Sequence, residues 1–433
     1  VKTRITSVAA RQIWDSRGRP TVEAEVTLAG GARGRAAAPA GASRGRNEAV
    51  DLRDGGTRFG GYGVTRAVAN VNGALALTLV GQDASNQVEI DRLIAELDGT
   101  PNLAHLGGNA SVAVSLAVLH AAAAADGLPL WRHLAGGTTP RLPLPEIQIF
   151  GGGAHAGRRI DIQDLMIMVP GAGSMAEALE VTGDVYRAAG ELMSKSGRLA
   201  GTADEGGWWP SFSSNEEALE ALTRAIEASG HRPGQDVFIS LDVASSEFFR
   251  NGRYRLALDG SELDGEAMAK LIESWARRFP LISIEDPAAQ DDAPTMTRIT
   301  KSLSAHAQII GDDFLVTNAE RVEQSVGACT AVLIKANQAG TVTRAKRALD
   351  AGKARGWATI VSARSGETED TSIVDLAVGW DAGQIKVGSF ARSERMAKWN
   401  ELLRVEEALG DDAKFAGWSA FPTSMKTPQS ATK

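Results

Sequence analysis

A single cysteine, Cys329, stands in a chain of 433 residues, which excludes internal disulfides and thiolate metal clusters. Long apolar runs are also missing, none approaching the roughly 20 residues of a membrane span. The first residues, Val1-Lys2-Thr3-Arg4, lead into a strand pattern rather than the apolar core of a signal peptide. Neither sign of charge dominates: the net charge of −7 is spread as mixed signs along the chain, which argues against nucleic acid as the main partner. These absences predict a soluble cytoplasmic protein with small-molecule partners, no nucleic acid and no membrane. What is plentiful is apolar sequence, 43% of the chain, enough at this length for more than one core and for two or three domains.

The first residues alternate as strands do, with Ile5, Val8 and Ile13 before a break at Asp15-Ser16-Arg17-Gly18-Arg19-Pro20. Val22-Glu23-Ala24-Glu25-Val26 follows, so the segment reads as a hairpin with Gly and Pro in its turn. The small-residue loop Ala38-Pro39-Ala40-Gly41-Ala42-Ser43-Arg44-Gly45 suits close approach of backbone to a ligand, although such loops are more often simply mobile. From Val64 to His133 the periodicity is helical, with an alanine-dense helix at Ala113 to Asp126. Gly136-Gly137-Thr138-Thr139-Pro140 reads as a linker. It divides an N-terminal domain, 1–138, from a second, 139–423, with a polar tail at 424–433.

The second domain carries the chemistry. Three short apolar runs, 237–242, 280–287 and 308–313, reach Asp242, Glu285 and Asp312, and a fourth, 331–335, ends in Lys335. Each run is too short for a helix and precedes a helical pattern, such as Asp264 to Phe279, which is the grammar of a βα barrel. In such barrels the strand ends gather at one face. One acidic residue after a strand is usually a helix cap; four charged strand ends in succession point to a site. Three oxygen donors there suit a hard divalent cation, Mg2+ in preference. A buried lysine beside them can act as a base if desolvation or a cationic neighbour lowers its pKa.

The motifs resemble those of enolases over nearly the whole chain. The stretches that carry the resemblance are Asp15-Ser16-Arg17-Gly18, Gly41-Ala42-Ser43, Asp204-Glu205-Gly206-Gly207, Ser283-Ile284-Glu285-Asp286-Pro287, Gly311-Asp312-Asp313, Ile334-Lys335, Arg364-Ser365-Gly366-Glu367-Thr368-Glu369-Asp370 and Gln384-Ile385-Lys386. The resemblance implies an α/β fold, an N-terminal α+β domain capping a modified enolase-type (β/α)8 barrel. It implies two Mg2+ ions, the first on Asp242, Glu285 and Asp312 and the second helped by Ser43. Lys335 would be the base that takes the proton α to the substrate carboxylate, and Lys386 would bind that carboxylate. Glu205 would be the acid, with Asp164 as its partner. Arg364 and Ser365 would bind phosphate, and His155 and Gln163 would belong to the pocket. The family suggests homodimers or homo-octamers.

The departures from the family pattern gather on one side of that site. Ala40 and Arg44 stand where serine and threonine are usual, Gly151-Gly152-Gly153-Ala154-His155-Ala156-Gly157 has lost three polar side chains, and Arg158-Arg159 follows. Asp164 is one methylene shorter than the usual glutamate, Ala363 replaces a histidine, and Trp208-Trp209 replaces a tyrosine and a small residue. The sequence therefore predicts a wider, more basic pocket, with Arg44 meeting a larger anionic ligand and Arg158 and Arg159 either joining it or forming a solvated loop pair. Trp208 and Trp209 either pack under their loop or offer a stacking platform. This pattern resembles the enolase-like enzymes of phosphonate pathways, which form carboxyphosphonoenolpyruvate from a phosphoglycerate and a nucleotide-activated phosphonoformate. An ordinary phosphopyruvate hydratase and a non-catalytic protein on the same scaffold are the alternatives.

Overall fold

The computed structural model describes residues 2–42 and 45–427. Strands β1 (Ile5–Trp14), β2 (Pro20–Leu28) and β3 (Arg33–Ala37) form one antiparallel sheet in that order. The expected hairpin is present, with Trp14 opposite Pro20. Its turn is held by Asp15, whose Oδ1 accepts the backbone N–H groups of Arg17 and Arg19, each at 2.9 Å.

Helix α1 (Gly108–Asp126) lies on this sheet. A Cβ on Gly34 of β3 would sit 2.1 Å from the Ala117 carbonyl oxygen, so only glycine lets strand and helix approach this closely. By length and composition α1 is apolar enough to cross a membrane, contrary to the expectation that no such segment exists. Most of it is buried in the protein, as in the core helix of a globular domain.

Eight strands then close into a barrel: β4 (Leu144–Gly151), β5 (Asp164–Met168), β6 (Phe238–Asp242), β7 (Leu281–Glu285), β8 (Gln308–Gly311), β9 (Ala331–Ile334), β10 (Ala358–Ser362) and β11 (Gly383–Ser389). They pair in sequence order, and β11 pairs with β4 to complete the circle. Strand β5 runs antiparallel to both of its neighbours, while the other pairs around the circle are parallel. This reversal is what modifies the barrel. The parallel strands deliver residues to the active face from their ends, whereas β5 must deliver one from its start. Asp164 therefore lies across from Asp242, Asp242 beside Glu285, and Ser362 beside Lys386.

The surrounding helices begin where their caps dictate. In front of α2 (Met175–Lys195), Ser174 Oγ accepts the Glu177 N–H at 3.1 Å and Glu177 reaches back to the Gly173 N–H at 2.7 Å. Ser214 and Glu217 repeat the device at the start of α3 (Asn215–Ala228). The barrel's centre is not wholly apolar. Glu146 is fully buried and accepts from Ser240 Oγ at 2.8 Å, while Gln308 Nε2 donates to Ser283 at 2.9 Å and to Gln384 at 2.8 Å.

Candidate active site

The strand ends bring Asp242, Glu285, Asp312, Lys335 and Lys386 together, all buried. Lys386 Nζ donates to Asp242 Oδ2 at 2.8 Å and to Glu285 Oε2 at 2.7 Å, and lies 3.7 Å from Asp164 Oδ2. Lys335 Nζ donates to Asp312 Oδ2, and Gln338 Nε2 donates to the other oxygen at 2.8 Å. Burial and the neighbouring Asp242 carboxylate push the Glu285 carboxyl well above its ordinary range, with Lys386 opposing. Burial acts the same way on Asp312, but the Lys335 ammonium overrides it and lowers that carboxyl. The lysine differs from its sequence expectation. Burial alone would lower Lys335, yet its ion pair with Asp312 leaves it raised.

Among the described residues, two sets of three side chains place ligating atoms within 4.8 Å of one another: Asp286, Asp312 and Asp313, and His155, Asp164 and Glu205. Asp242 and Glu285 lie outside both. Nevertheless Glu285 Oε1 is buried without a hydrogen-bond partner, and Asp242, Glu285 and Asp312 offer only oxygens. An all-oxygen donor set with an orphaned carboxylate oxygen fits a hard cation, so these three residues could hold Mg2+. Asp286 turns out to be a clamp on strand β8: its two oxygens accept the Asp312 and Asp313 N–H groups at 2.9 and 2.8 Å, at a left-handed φ of 40°.

The other side of the cleft is built from His155, Asp164 and Glu205. His155 Nδ1 lies 3.2 Å from Asp164 Oδ1 and 3.8 Å from Glu205 Oε1. Burial works against a charged imidazole, but Glu205 and Asp164 outweigh it and push His155 up to about 9. Burial would raise Asp164 too, but the His155 charge and hydrogen bond hold it down at about 2. Glu205 is different: burial dominates, with Asp164 adding to it against His155, and the carboxyl is raised. Environment has thus moved two neighbouring carboxyl groups in opposite directions, Asp164 down and Glu205 up.

Gln163, Arg364 and Ser365 complete the wall of the cleft. Gln163 Nε2 donates to Asp242 at 3.0 Å. Arg364 is anchored by Glu48 at 3.0 Å and Asn337 at 3.1 Å, and Ser365 Oγ accepts from Arg17 at 3.1 Å and from the Ala42 N–H at 2.6 Å. Ser43 and Arg44 lie outside the described residues.

Four sequence candidates do not line this cleft. Trp208 stacks on Tyr186, with centroids 4.6 Å apart and planes 19° from parallel, and donates to the Tyr186 carbonyl at 2.7 Å. Its ring lies where a Cβ on Gly190 would come within 2.5 Å, so it packs against α2. Arg159 covers the Trp209 ring at 4.8 Å, and Arg158 makes an exposed pair with Glu247 at 2.7 Å. The expected widening is also mostly absent. A Cβ on Gly151 would strike Ala203 at 2.4 Å, Gly157 abuts Trp209, and Ala40 is paired with Gly366. Of these small residues, Ala363 alone lines the cleft.

The sequence reading passed over Glu48, Gln148, Gln338 and Arg17 as site residues. Arg17 sits inside a recognised stretch and could have been found there. The other three carry no local signal, because only the fold brings them to the charged groups.

The N-terminal layer over a closed barrel with one reversed strand agrees with comparison against known families. Residues 5–134 match the enolase N-terminal domain, and residues 139–424 match the enolase C-terminal TIM barrel domain. Together they span nearly the whole chain, which belongs to the enolase family.

Proposed function

We propose that this protein is a Mg2+-dependent enzyme that removes the proton α to the carboxylate of a phosphoglycerate and expels the β-substituent, giving an enolpyruvate. The observation that carries this reading is the pair of buried lysines, Lys335 and Lys386, set against Asp312, Asp242 and Glu285 in one cleft. In this reading Lys335 accepts the proton, Lys386 holds the carboxylate, and Arg364 and Ser365 hold a phosphate. Bound at the carboxylates, divalent metal supplies positive charge against the dianion that proton removal creates. Family kinship favours Mg2+ as that metal.

The finer reading is synthesis of carboxyphosphonoenolpyruvate from 3-phosphoglycerate and a nucleotide-activated phosphonoformate. The C2 hydroxyl gives up its proton to solvent as its oxygen bonds to the phosphonoformyl phosphorus, and the bond from that phosphorus to the nucleotide breaks to release the nucleotide. Lys335 then takes the C2 proton, the electron pair forms the C2–C3 double bond, and C3–O cleavage releases inorganic phosphate. Phosphate leaves more readily than hydroxide and needs less help from an acid, which suits the shortened, ionised Asp164 and the missing side chain at Ala363. The second reading, dehydration of 2-phosphoglycerate, is favoured by one observation: Glu205 is buried beside His155 with its carboxyl raised, the direction that an acid for departing hydroxide needs.

Enolpyruvate absorbance decides between them. The finer reading expects signal from 3-phosphoglycerate with the activated phosphonoformate and none from 2-phosphoglycerate and Mg2+. Turnover of 2-phosphoglycerate alone at about 10 per second or more makes the protein a hydratase. Silence with every substrate, together with no Mg2+-dependent rise in Tm, returns the non-catalytic scaffold.

A further inference from the structure

Gln148, on β4, is wholly buried and touches both halves of the acid side. Its Nε2 donates to Asp164 Oδ1, and its Oε1 accepts the Gly207 N–H at 2.9 Å. The orientation of the amide is fixed by chemistry at both ends. A backbone N–H can only donate and an ionised carboxylate can only accept, so Oε1 must face Gly207 and Nε2 must face Asp164. The approach is close: a Cβ on Gly207 would come within 2.3 Å of Oε1. Gly207 belongs to the turn that carries Glu205, with the Ala203 N–H bonded to the Gly207 carbonyl at 2.7 Å and the Gly206 N–H to Ala203 at 3.0 Å. Ser389 holds both partners at once, its N–H on the Glu205 carbonyl at 2.9 Å and its Oγ on the Gln148 carbonyl at 2.5 Å.

We propose that Gln148 is a positioning residue that ties the start of β5 to the Glu205 turn and so fixes the distance between Asp164 and Glu205. The proposal rests on the reading above that this side of the cleft assists departure of the β-substituent. The two carboxyl groups come from elements with no covalent link shorter than forty residues, 164 to 205, and a side-chain amide that answers to both is the direct way to hold them in register. The hydrogen bonds described for Gln148 reach neither Lys335 nor the phosphate wall. Its loss should therefore slow expulsion of the leaving group and spare proton removal.

Two variants separate the two bonds. Q148L removes both; Q148E keeps an acceptor for Gly207 but sets a carboxylate against Asp164. Hydrogen–deuterium exchange over 203–207 reads the Gly207 bond without any substrate: about tenfold faster exchange is expected in Q148L and a change within about threefold in Q148E. With substrate, both variants should lower kcat for elimination about 100-fold at a KM near wild type. Solvent-deuterium exchange at C2, the Lys335 half-reaction, should stay within about threefold of wild type. Unchanged elimination in both variants, or unchanged 203–207 exchange in Q148L, overturns the proposal. So does an equal loss of elimination and C2 exchange with faster amide exchange throughout the barrel, which is the behaviour of a merely structural residue. If the wild type turns over no phosphoglycerate, the functional reading fails by itself, and the 203–207 exchange alone then decides for or against the clamp.

Discussion

Arg364 and Glu48 form a two-armed ion pair between the barrel and the segment that leads out of the N-terminal sheet, with Nη1 3.0 Å from Oε2 and Nη2 3.3 Å from Oε1. Both side chains are buried. The pair aims a guanidinium of the cleft wall using a residue from the other end of the chain. Removing Glu48 takes from the buried Arg364 guanidinium its direct carboxylate pair and leaves it Asn337 and the more distant charges of Asp312 and Asp313. Glu48→Ala should cost about 3–5 kcal/mol in urea unfolding. A loss below about 1 kcal/mol would show that water replaces Glu48 without difficulty.

Lys335→Met is expected to reduce solvent-deuterium exchange at C2 of a phosphoglycerate by about 10²- to 10⁴-fold, the range that a positioned proton acceptor contributes. The variant also leaves the buried Asp312 without its ammonium partner, so its Tm should fall. Retention of exchange in a folded Lys335→Met protein would remove the lysine from the mechanism.

Glu146 makes stability depend on pH. Burial raises its folded-state carboxyl to about 7, from an ordinary value of 4.5. Between those values the folded chain binds a proton that the unfolded chain has released, so stability falls as pH rises through this window. At about 1.36 kcal/mol per unit, the full effect of this one group is about 3 kcal/mol. Asp375, also pushed by burial to about 7, slopes the same way. Glu146→Gln should therefore flatten part of the decline in unfolding free energy between pH 5 and pH 8. An identical decline in the variant would mean that Glu146 ionises at its ordinary value.

The Trp and Arg additions separate by role. Trp208→Ala should destabilise by about 3–5 kcal/mol, as loss of a large packed ring does, without changing the KM of any substrate. Arg158→Ala breaks an exposed pair and should alter stability by less than about 1 kcal/mol. Arg158→Ala and Arg159→Ala should leave the KM of every substrate unchanged, since neither arginine lines the cleft. Equal KM values for wild type and both variants would assign these arginines to the solvated surface.

The sequence by itself determined the barrel and the residues of its charged face. Short β-rich runs ending in Asp242, Glu285, Asp312 and Lys335 are a local signal, because each strand carries its charged residue at its end or just past it. Long motifs in the right order secured the family. Tertiary structure decided what pairing controls. The reversal of β5 puts Asp164 at the active face from the start of its strand, and no periodicity in the sequence marks a strand's direction. Packing decided that Gly151 and Trp208 fill space instead of opening it, since a glycine reads alike beside a void and beside Ala203. The same is true of charge: Lys335 is raised by Asp312, a partner 23 positions away whose distance only the folded chain sets.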